Sequence, residues 1–509
     1  MAKTNKTPGV YIEEKNAFPG SVAAVETAVP VFIGYTQKAE LNGRSLTGKA
    51  FRISSLTEYL QYFGSGYLHR FSFKKNAGSS APAPIVNFSA DMLEQPAEIF
   101  YLYNCIRLFF SNGGGNCYIF SLGSCEGNGN TKPVINKNDL VKLDVFAKLE
   151  KEPEPTLIVL PDFVNERTEC YSLYQDVLKH CGKMQSRFGI FDVIPAVNET
   201  TTDACLVFRT AIGNDSLNYG AAYYPWLNTN IVQDYEISFL NLDIATEDLK
   251  IILTENNVTA VIDAWNAAKK AVVIPITETI EDARLRIKRE NNSLHQSLMA
   301  ASPTYVQIMT EIKNRLNLLP PAAAMAGIYT MVDNARGVWK APANISLSNV
   351  ISPAVNLTHD DQENMNIDAS SGKSINAIRP FIGKGTLVWG ARTLDGNSQE
   401  WRYINVRRTI TMIEQSLKLA CRAYVFEPNV SNTWVTMKSM INNFLINLWQ
   451  QGALAGAKPE EAFNVQIGLG TTMTQNDILD GYLRISIMLA LVRPAEFIVI
   501  TVQQRQQQS

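Results

Sequence analysis

Gly372-Lys373-Ser374 is the string in this chain that most invites chemistry, because a glycine followed by lysine and a hydroxyl residue is how a P-loop cradles phosphate. Such a loop needs another glycine five residues before its second one, and Ile367 stands there, so the cradle is absent. Gly113, Gly114 and Gly115 follow a helix-like stretch and precede a strand-like one, the wrong order for a dinucleotide site. The histidines at 69, 180, 295 and 359 have no metal-ligand spacing, and neither H-E-x-x-H nor G-x-S-x-G occurs. Asp162 closes the apolar run LIVLPD, where α/β enzymes place carboxylates, but it has no second group to work with. Helix capping or a salt bridge is the expected role. The stretch Gly337-Val338-Trp339-Lys340 with Ala341-Pro342-Ala343-Asn344 reads as a packing turn in preference to a ligand-gripping loop. No catalytic residue, cofactor or metal is expected.

Composition narrows the field further. The seven cysteines, at 105, 117, 125, 170, 181, 205 and 421, contain no C-x-x-C pair and point to reduced, mostly buried thiols. A formal net charge of -2, with Lys and Arg scattered, gives no footprint for nucleic acid. The runs ISIMLALV and FIVITV are far too short to span a bilayer, and MAKTNKTPGVY has no apolar signal region, so synthesis in the cytosol is expected.

The elements that would position any site read as follows. VPVFIGYT (29–36), LIVLPD (157–162), FGIFDVIP (188–195) and GAAYYPWL (220–227) are short apolar runs, and residues 166–186 between two of them put Leu173, Tyr174, Val177, Leu178 and Cys181 on one helical face. Residues 98–122 place Ile99, Leu102, Ile106 and Phe109 on a helix that closes at Gly113 to Gly115 and resumes as a strand. Alternating buried strands and helices predict an α/β portion with a partly parallel sheet. Residues 65–96 read as an inserted loop, and 228–318 as a more variable region whose helix ETIEDARLRIKRENNSLHQSL is polar almost all round, a solvated face or a bridge between subunits and so fit for an outer surface. The C-terminal part predicts a compact α+β domain: a helix over 404–429, a second over 433–454 ending at Gly452, and strands over 463–470, 481–492 and 496–502.

Both ends of the chain carry a short β-prone segment, TPGVYIEE (7–14) and RPAEFIVITVQQ (493–504), set off by Pro19-Gly20 and Pro494. The run Phe497, Ile498, Val499, Ile500 and Val502 in the second is too apolar and β-branched to stay solvated, so a partner strand is implied; Val10, Tyr11 and Ile12 are the apolar residues of the first. That partner belongs either to the chain's own body or to a neighbouring copy.

An ordered set of strings now stands out: TPGVYIEE, VPVFIGYT, NGGGNCYIF, AAYYPWL, PPAAAMAGIYTMVDNARGVWKAPAN (320–344), INAIRPFIGKGTLVWGARTL (375–394), YINVRRTITMIEQSLKLACRAYVFEPN (403–429) and RPAEFIVITVQQ. In this order they resemble the sheath proteins of contractile phage tails and of related phage-tail-like injection systems. The stretch 320–504 is the most specific, while 65–96 and 228–318 look like additions to shorter sheaths.

The resemblance implies a non-enzymatic subunit that polymerises helically around an inner tube on a baseplate, under a terminator or cap protein, and contracts to drive the tube through an envelope. It implies assembly in the bacterial cytoplasm, into a particle that is released or anchored at the envelope. It divides the chain into an N-terminal arm (1–20), an α/β domain (21–227), the inserted region (228–318), a connecting region (319–375), a C-terminal domain near the tube (376–495) and a C-terminal arm (496–509). The arms would cross to neighbours, six strand residues reaching roughly 20 Å. Arg407, Arg408, Glu414 and Lys418 either face the tube or form a solvated face. The alternative within the class is a type VI secretion sheath, divided between two polypeptides; the alternative outside it is an α/β enzyme of unknown substrate.

Overall fold

The computed structural model of the chain describes residues 22–74, 84–85, 87–96, 98–126, 134–271 and 279–500. These form two compact units. The larger holds Ala28–Arg336 and Ala341–Ile404; the smaller gathers residues 22–27, Gly337–Lys340 and 405–500.

Strands β1 (Pro30–Thr36), β2 (Ala50–Ile53), β3 (Cys117–Ser124), β4 (Leu157–Val159), β5 (Phe188–Asp192), β6 (Gly220–Tyr224), β7 (Ile345–Ser346), β8 (Ile375–Phe381) and β9 (Gly385–Val388) make one nine-stranded sheet, in the order β7-β9-β8-β6-β5-β4-β1-β3-β2. Every ladder from β8 across to β3 is parallel, and antiparallel strands finish both ends. All residues of β1, β5 and β6 are buried, which is why these runs are continuously apolar instead of alternating. Sequence reading grouped 376–404 with the C-terminal domain. Instead β8 pairs with β6 and carries β9 with it, so these strands extend the large sheet and the C-terminal part of the smaller unit begins at Asn405.

Helix α1 (Leu102–Ser111) leads into β3, while α2 (Arg167–Met184) follows β4 and α3 (Thr201–Ala211) follows β5. On α2 the buried side chains include Leu173, Tyr174, Val177, Leu178 and Cys181, the face its spacing predicts. Gly113, at φ 87°, ends the turn after α1 in a conformation that favours glycine.

The two stretches read as separate additions share one core. Phe71, Phe73, Ile85 and Leu93 pack with Leu242, Leu249, Ile252, Val258, Ile308 and Ile312, among others. The backbone joins them as well: Phe71 N donates to Asn241 O at 2.8 Å, Asp243 N donates to Phe71 O at 2.8 Å, and Ile85 N donates to Ile252 O at 2.9 Å. The described residues of 65–96 are therefore part of a folded core: Phe71, Phe73, Ile85 and Leu93 help to complete that of 228–318. Three helices cover that core: α4 (Asn256–Ala271), α5 (Ile280–Ala301) and α6 (Pro303–Leu316). The polar helix α5 buries Leu294 and Leu298 one turn apart, so its second half has an inward stripe that its charge had masked.

Helix α7 (Ala322–Arg336) begins AAAMAG, and these small residues are all buried. A Cβ on Gly327 would lie 2.6 Å from the carbonyl oxygen of Phe109 in α1, so only glycine lets the two helices approach this closely.

In the smaller unit, α8 (Ile404–Cys421) contributes Met412, Ile413 and Leu417, and α9 (Ser431–Gln450) contributes Met440, Ile441, Phe444, Leu445 and Leu448, to one core. Strand β10 (Phe463–Gln466) pairs antiparallel with β11 (Ser486–Leu489), and Val22 and Val338 join the same core. Both strands are shorter than the sequence suggests, and residues 492–500 form no strand.

Gly327→Val is expected to lower the unfolding free energy by about 1–3 kcal/mol through overpacking at the α1–α7 crossing. Urea unfolding followed by circular dichroism measures it, and an unchanged midpoint would contradict the close approach.

Candidate assembly interface

The features that suggested chemistry are each occupied by the fold. Lys373 is buried; its Nζ donates to Arg209 O at 2.6 Å, and Arg209 Nε donates back to Lys373 O at 2.9 Å. Asp368 lies 3.8 Å from the same guanidinium. This lysine is a staple between α3 and the chain entering β8. Asp162 accepts Leu102 N at 2.8 Å and Tyr35 N at 2.7 Å, capping the start of α1 as its position after β4 suggested. Asp192, which sequence reading passed over, does the same for α7 by accepting Ala322 N at 2.7 Å. Its signal was an acidic residue ending an otherwise apolar strand.

The histidines are scattered. His69 Nε2 accepts Phe100 N at 2.9 Å, His180 Nε2 lies 2.7 Å from Arg187, and His295 Nδ1 lies 2.8 Å from the Tyr305 hydroxyl. All seven cysteines are free, six of them buried, and burial pushes those six thiols up. Among the described residues no group of three or more His, Cys, Asp and Glu could hold a metal ion, and no helix is long and apolar enough to cross a membrane.

The terminal segments differ from all of this. Phe497, Ile498, Val499 and Ile500 are 67 to 88% exposed, an apolar run with no ladder among the described residues. Val10, Tyr11, Ile12, Pro19, Gly20 and Val502 lie outside the described residues. The β10–β11 sheet has two strands, and apart from the single Leu454–Leu491 bridge its outer edges carry no further ladder among the described residues. An exposed β-prone run and an unfilled sheet edge therefore occur in one unit.

The four charged residues assigned to a tube-facing or solvated face separate. Arg407 and Arg408 are each 4% exposed: Arg407 reaches Glu414 at 3.0 Å, and Arg408 donates to Thr27 O at 3.1 Å. Neither arginine is on an outer face, because the first turns of α8 are buried all round. Glu414 and Lys418, beyond those turns, are exposed.

Residues 397–505 match the phage tail sheath C-terminal domain family. The chain is 26% identical over 141 residues to the tail sheath protein of Vibrio phage KVP40, covering 28% of this chain and 21% of that protein. It is 26% identical over 159 residues to the tail sheath protein of Burkholderia phage BcepMu, covering 30% of this chain and 33% of that protein. The chain thus aligns with a fifth to a third of the length of these curated relatives. Over nearly its whole length it is similar to two solved sheaths. One is the PVC sheath complex of an extracellular contractile injection system in the contracted state, at 28% identity and TM-score 0.60, covering 99% of both chains. The other is the helical sheath of the anti-feeding prophage in the contracted state, at 28% identity and TM-score 0.61, covering 99% of this chain and 100% of that one.

The fold and these matches make the chain similar to contractile tail sheath proteins, with its C-terminal residues 397–505 matching the sheath C-terminal domain. Within that class, the similarity along the entire chain is to sheaths of phage-tail-like injection systems.

Burial pushes Asp162 and Asp192 up to about 7 and His69 and His180 down to about 4. The aspartates hold protons in the fold that they lose when unfolded, so their contribution is full below about pH 4 and is lost as pH rises towards 7. The histidines oppose them: unfolded histidine takes up a proton below about pH 6.5 that the folded one refuses, so stability is lost as pH falls from there to about 4. Asp192→Asn removes one falling contribution and keeps an acceptor for Ala322 N. Its stability relative to the parent chain should therefore increase with pH between about 4 and 7, by about 1.4 kcal/mol per pH unit at most. Denaturant titrations across that range check the sign, and a flat or reversed difference would refute it.

Proposed function

We propose that this chain is the repeating unit of a contractile sheath, joined to its neighbours by strand exchange. A polymer forms when a head-to-tail contact fails to close into a ring. The observation that carries this reading is the exposed run at 497–500 in the same unit as an open-edged two-stranded sheet, within a chain similar throughout to contracted sheaths. Residues 497–502 of one copy, and 10–12 of another, add as strands to the β10–β11 sheet of a neighbour. Main-chain ladder bonds give the attachment its strength, and alternate side chains give it register. Pro19, Gly20 and Pro494 act as the hinges at which each arm leaves its body.

The partners on this reading are further copies of the chain, an inner tube, a baseplate and a cap. A baseplate structure of the anti-feeding prophage contains a chain similar to this one at 28% identity and TM-score 0.58. Contraction needs no nucleotide: bodies rotate as rigid units while the arms keep them connected, and the work comes from the tighter packing of subunits in the shortened lattice. The long-lived extended state is held by a kinetic barrier. Of the charged residues on α8, Glu414 and Lys418 are those available to an inner tube.

Deleting residues 1–16, or 496–509, should leave a folded chain unable to form long sheaths. Val499→Pro makes the same test with one residue: it removes a ladder donor at a position 88% exposed in the single chain, so the melting temperature should stay unchanged while polymer is lost. Sedimentation and negative-stain microscopy provide the readout. Normal sheaths from all three variants would sink the proposal.

A further inference from the structure

Both arms have their roots on the same helix. Residues 22–27 are the described approach to the N-terminal arm, and they lie along α8: Val25 N donates to the hydroxyl of Ser416 at 3.1 Å, and Arg408 donates to Thr27 O at 3.1 Å. Ser416 is itself held, donating to Met412 O at 2.7 Å, and Val22 is in the same core cluster as Met412, Ile413 and Leu417. At the other end of the chain, Val492 is the last residue before the Arg493-Pro494 hinge. Its carbonyl accepts a hydrogen bond from Asn405 Nδ2 at 3.0 Å, and the same amide donates to Trp339 O at 2.9 Å.

Asn405, Arg408, Met412 and Ser416 stand at i, i+3, i+7 and i+11, a stripe roughly 16 Å long on one side of the helix. Asn405 is 1% exposed, Arg408 4% and Ser416 0%, so none of the three is placed for solvent or for a partner. Buried polar side chains of this kind need their bonds satisfied, and here three of them use backbone atoms of the two terminal segments as partners.

We propose that α8 is the anchor of both arms. Asn405 fixes the point where the C-terminal arm leaves, Arg408 and Ser416 fix the approach of the N-terminal arm, and a pull on one arm passes to the other along this one helix. They are positioning residues. The geometry suits a load path: a helix resists axial pull through many backbone hydrogen bonds, and the side-chain bonds across its stripe stop the roots from peeling away one residue at a time. The anchoring itself concerns the single chain; its mechanical consequence rests on the sheath reading given above.

Hydrogen exchange with mass spectrometry on the purified full chain, below the concentration at which it assembles, separates the two. Ser416→Ala, a mild change in a helix, should speed exchange about tenfold in peptides covering 22–28 and leave those covering 486–493 unchanged. Asn405→Ala should do the reverse. Protection in α9 reports whether the fold is intact; Arg408→Met provides a second N-terminal variant, and Asn405→Asp, which removes the Nδ2 donor at nearly the same size, provides a second C-terminal variant should Asn405→Ala fail to fold. The variants are then assembled alongside the parent chain, and their sheaths are expected to be severalfold shorter. Unchanged exchange at both roots, or a uniform rise across the smaller unit, overturns the anchor. Root-specific exchange with no sheath from the parent chain supports the anchor and overturns the sheath reading.

Discussion

A parallel sheet covered on both faces forces helix ends into the interior, and the larger unit is built around that constraint. The first amides of a helix have no partner within it, and water does not reach them here. Helices α1 and α7 solve this with carboxylates borrowed from strand ends, Asp162 and Asp192. β1 makes room for one of them: a Cβ on Gly34 would collide with the Asp162 carboxylate. Burial raises both acids to about 7, against the hydrogen bonds that favour their charged form. Carboxylates at strand C-termini with raised pKa values are what an enzyme hunter looks for, yet these two are fully used in holding helices. Desolvation without a facing substrate group is a structural signature as well as a catalytic one.

The smaller unit treats backbone groups in the opposite way. Its two-stranded sheet lies against α9 with outer edges that its own chain leaves largely unfilled, and its last described residues are apolar and exposed. A two-stranded sheet is marginal by itself, so this one depends on the helix beneath it and gains from added strands. The same chain thus closes one set of hydrogen-bonding groups completely and leaves another open. The closed set holds the larger unit together, and the open set is what the proposed strand exchange would use.

How much of this the sequence disclosed depended on whether the deciding contact was local. The parallel sheet was legible because continuous apolar runs alternating with a helical face admit few other folds, and the face of α2 came out residue by residue. The shared core of 65–96 and 228–318 was not legible. Phe71 and Ile85 find Leu242 and Ile252 across a long separation, and no periodicity in a mixed Pro/Ser stretch announces a distant partner. Arg407 and Arg408 misled for a related reason. Charge predicts exposure until a helix is buried all round, and the burial of the first turns of α8 comes from packing on every side. The terminal arms were visible from the start because their residue types conflict with their place at the chain ends. On the proposed sheath reading their partner is another molecule, which no reading of one chain contains.

An exposed apolar strand is also a hazard, since the groups that pair with a neighbour's sheet would pair with any other edge. The C-terminal arm limits this by its surroundings. Arg493 and Pro494 precede the run, and QQRQQQS follows it, so the β-prone segment is short and bounded by a charge and a residue that cannot donate on one side, and by polar side chains on the other. Stacking such arms on one another gains few ladder bonds before it meets those borders. Docking one arm on a preformed edge already supported by a helix avoids ordering a second free segment, and so loses less conformational entropy. The same short length that suppresses random association therefore favours the specific one, provided each arm leaves its body at a fixed point.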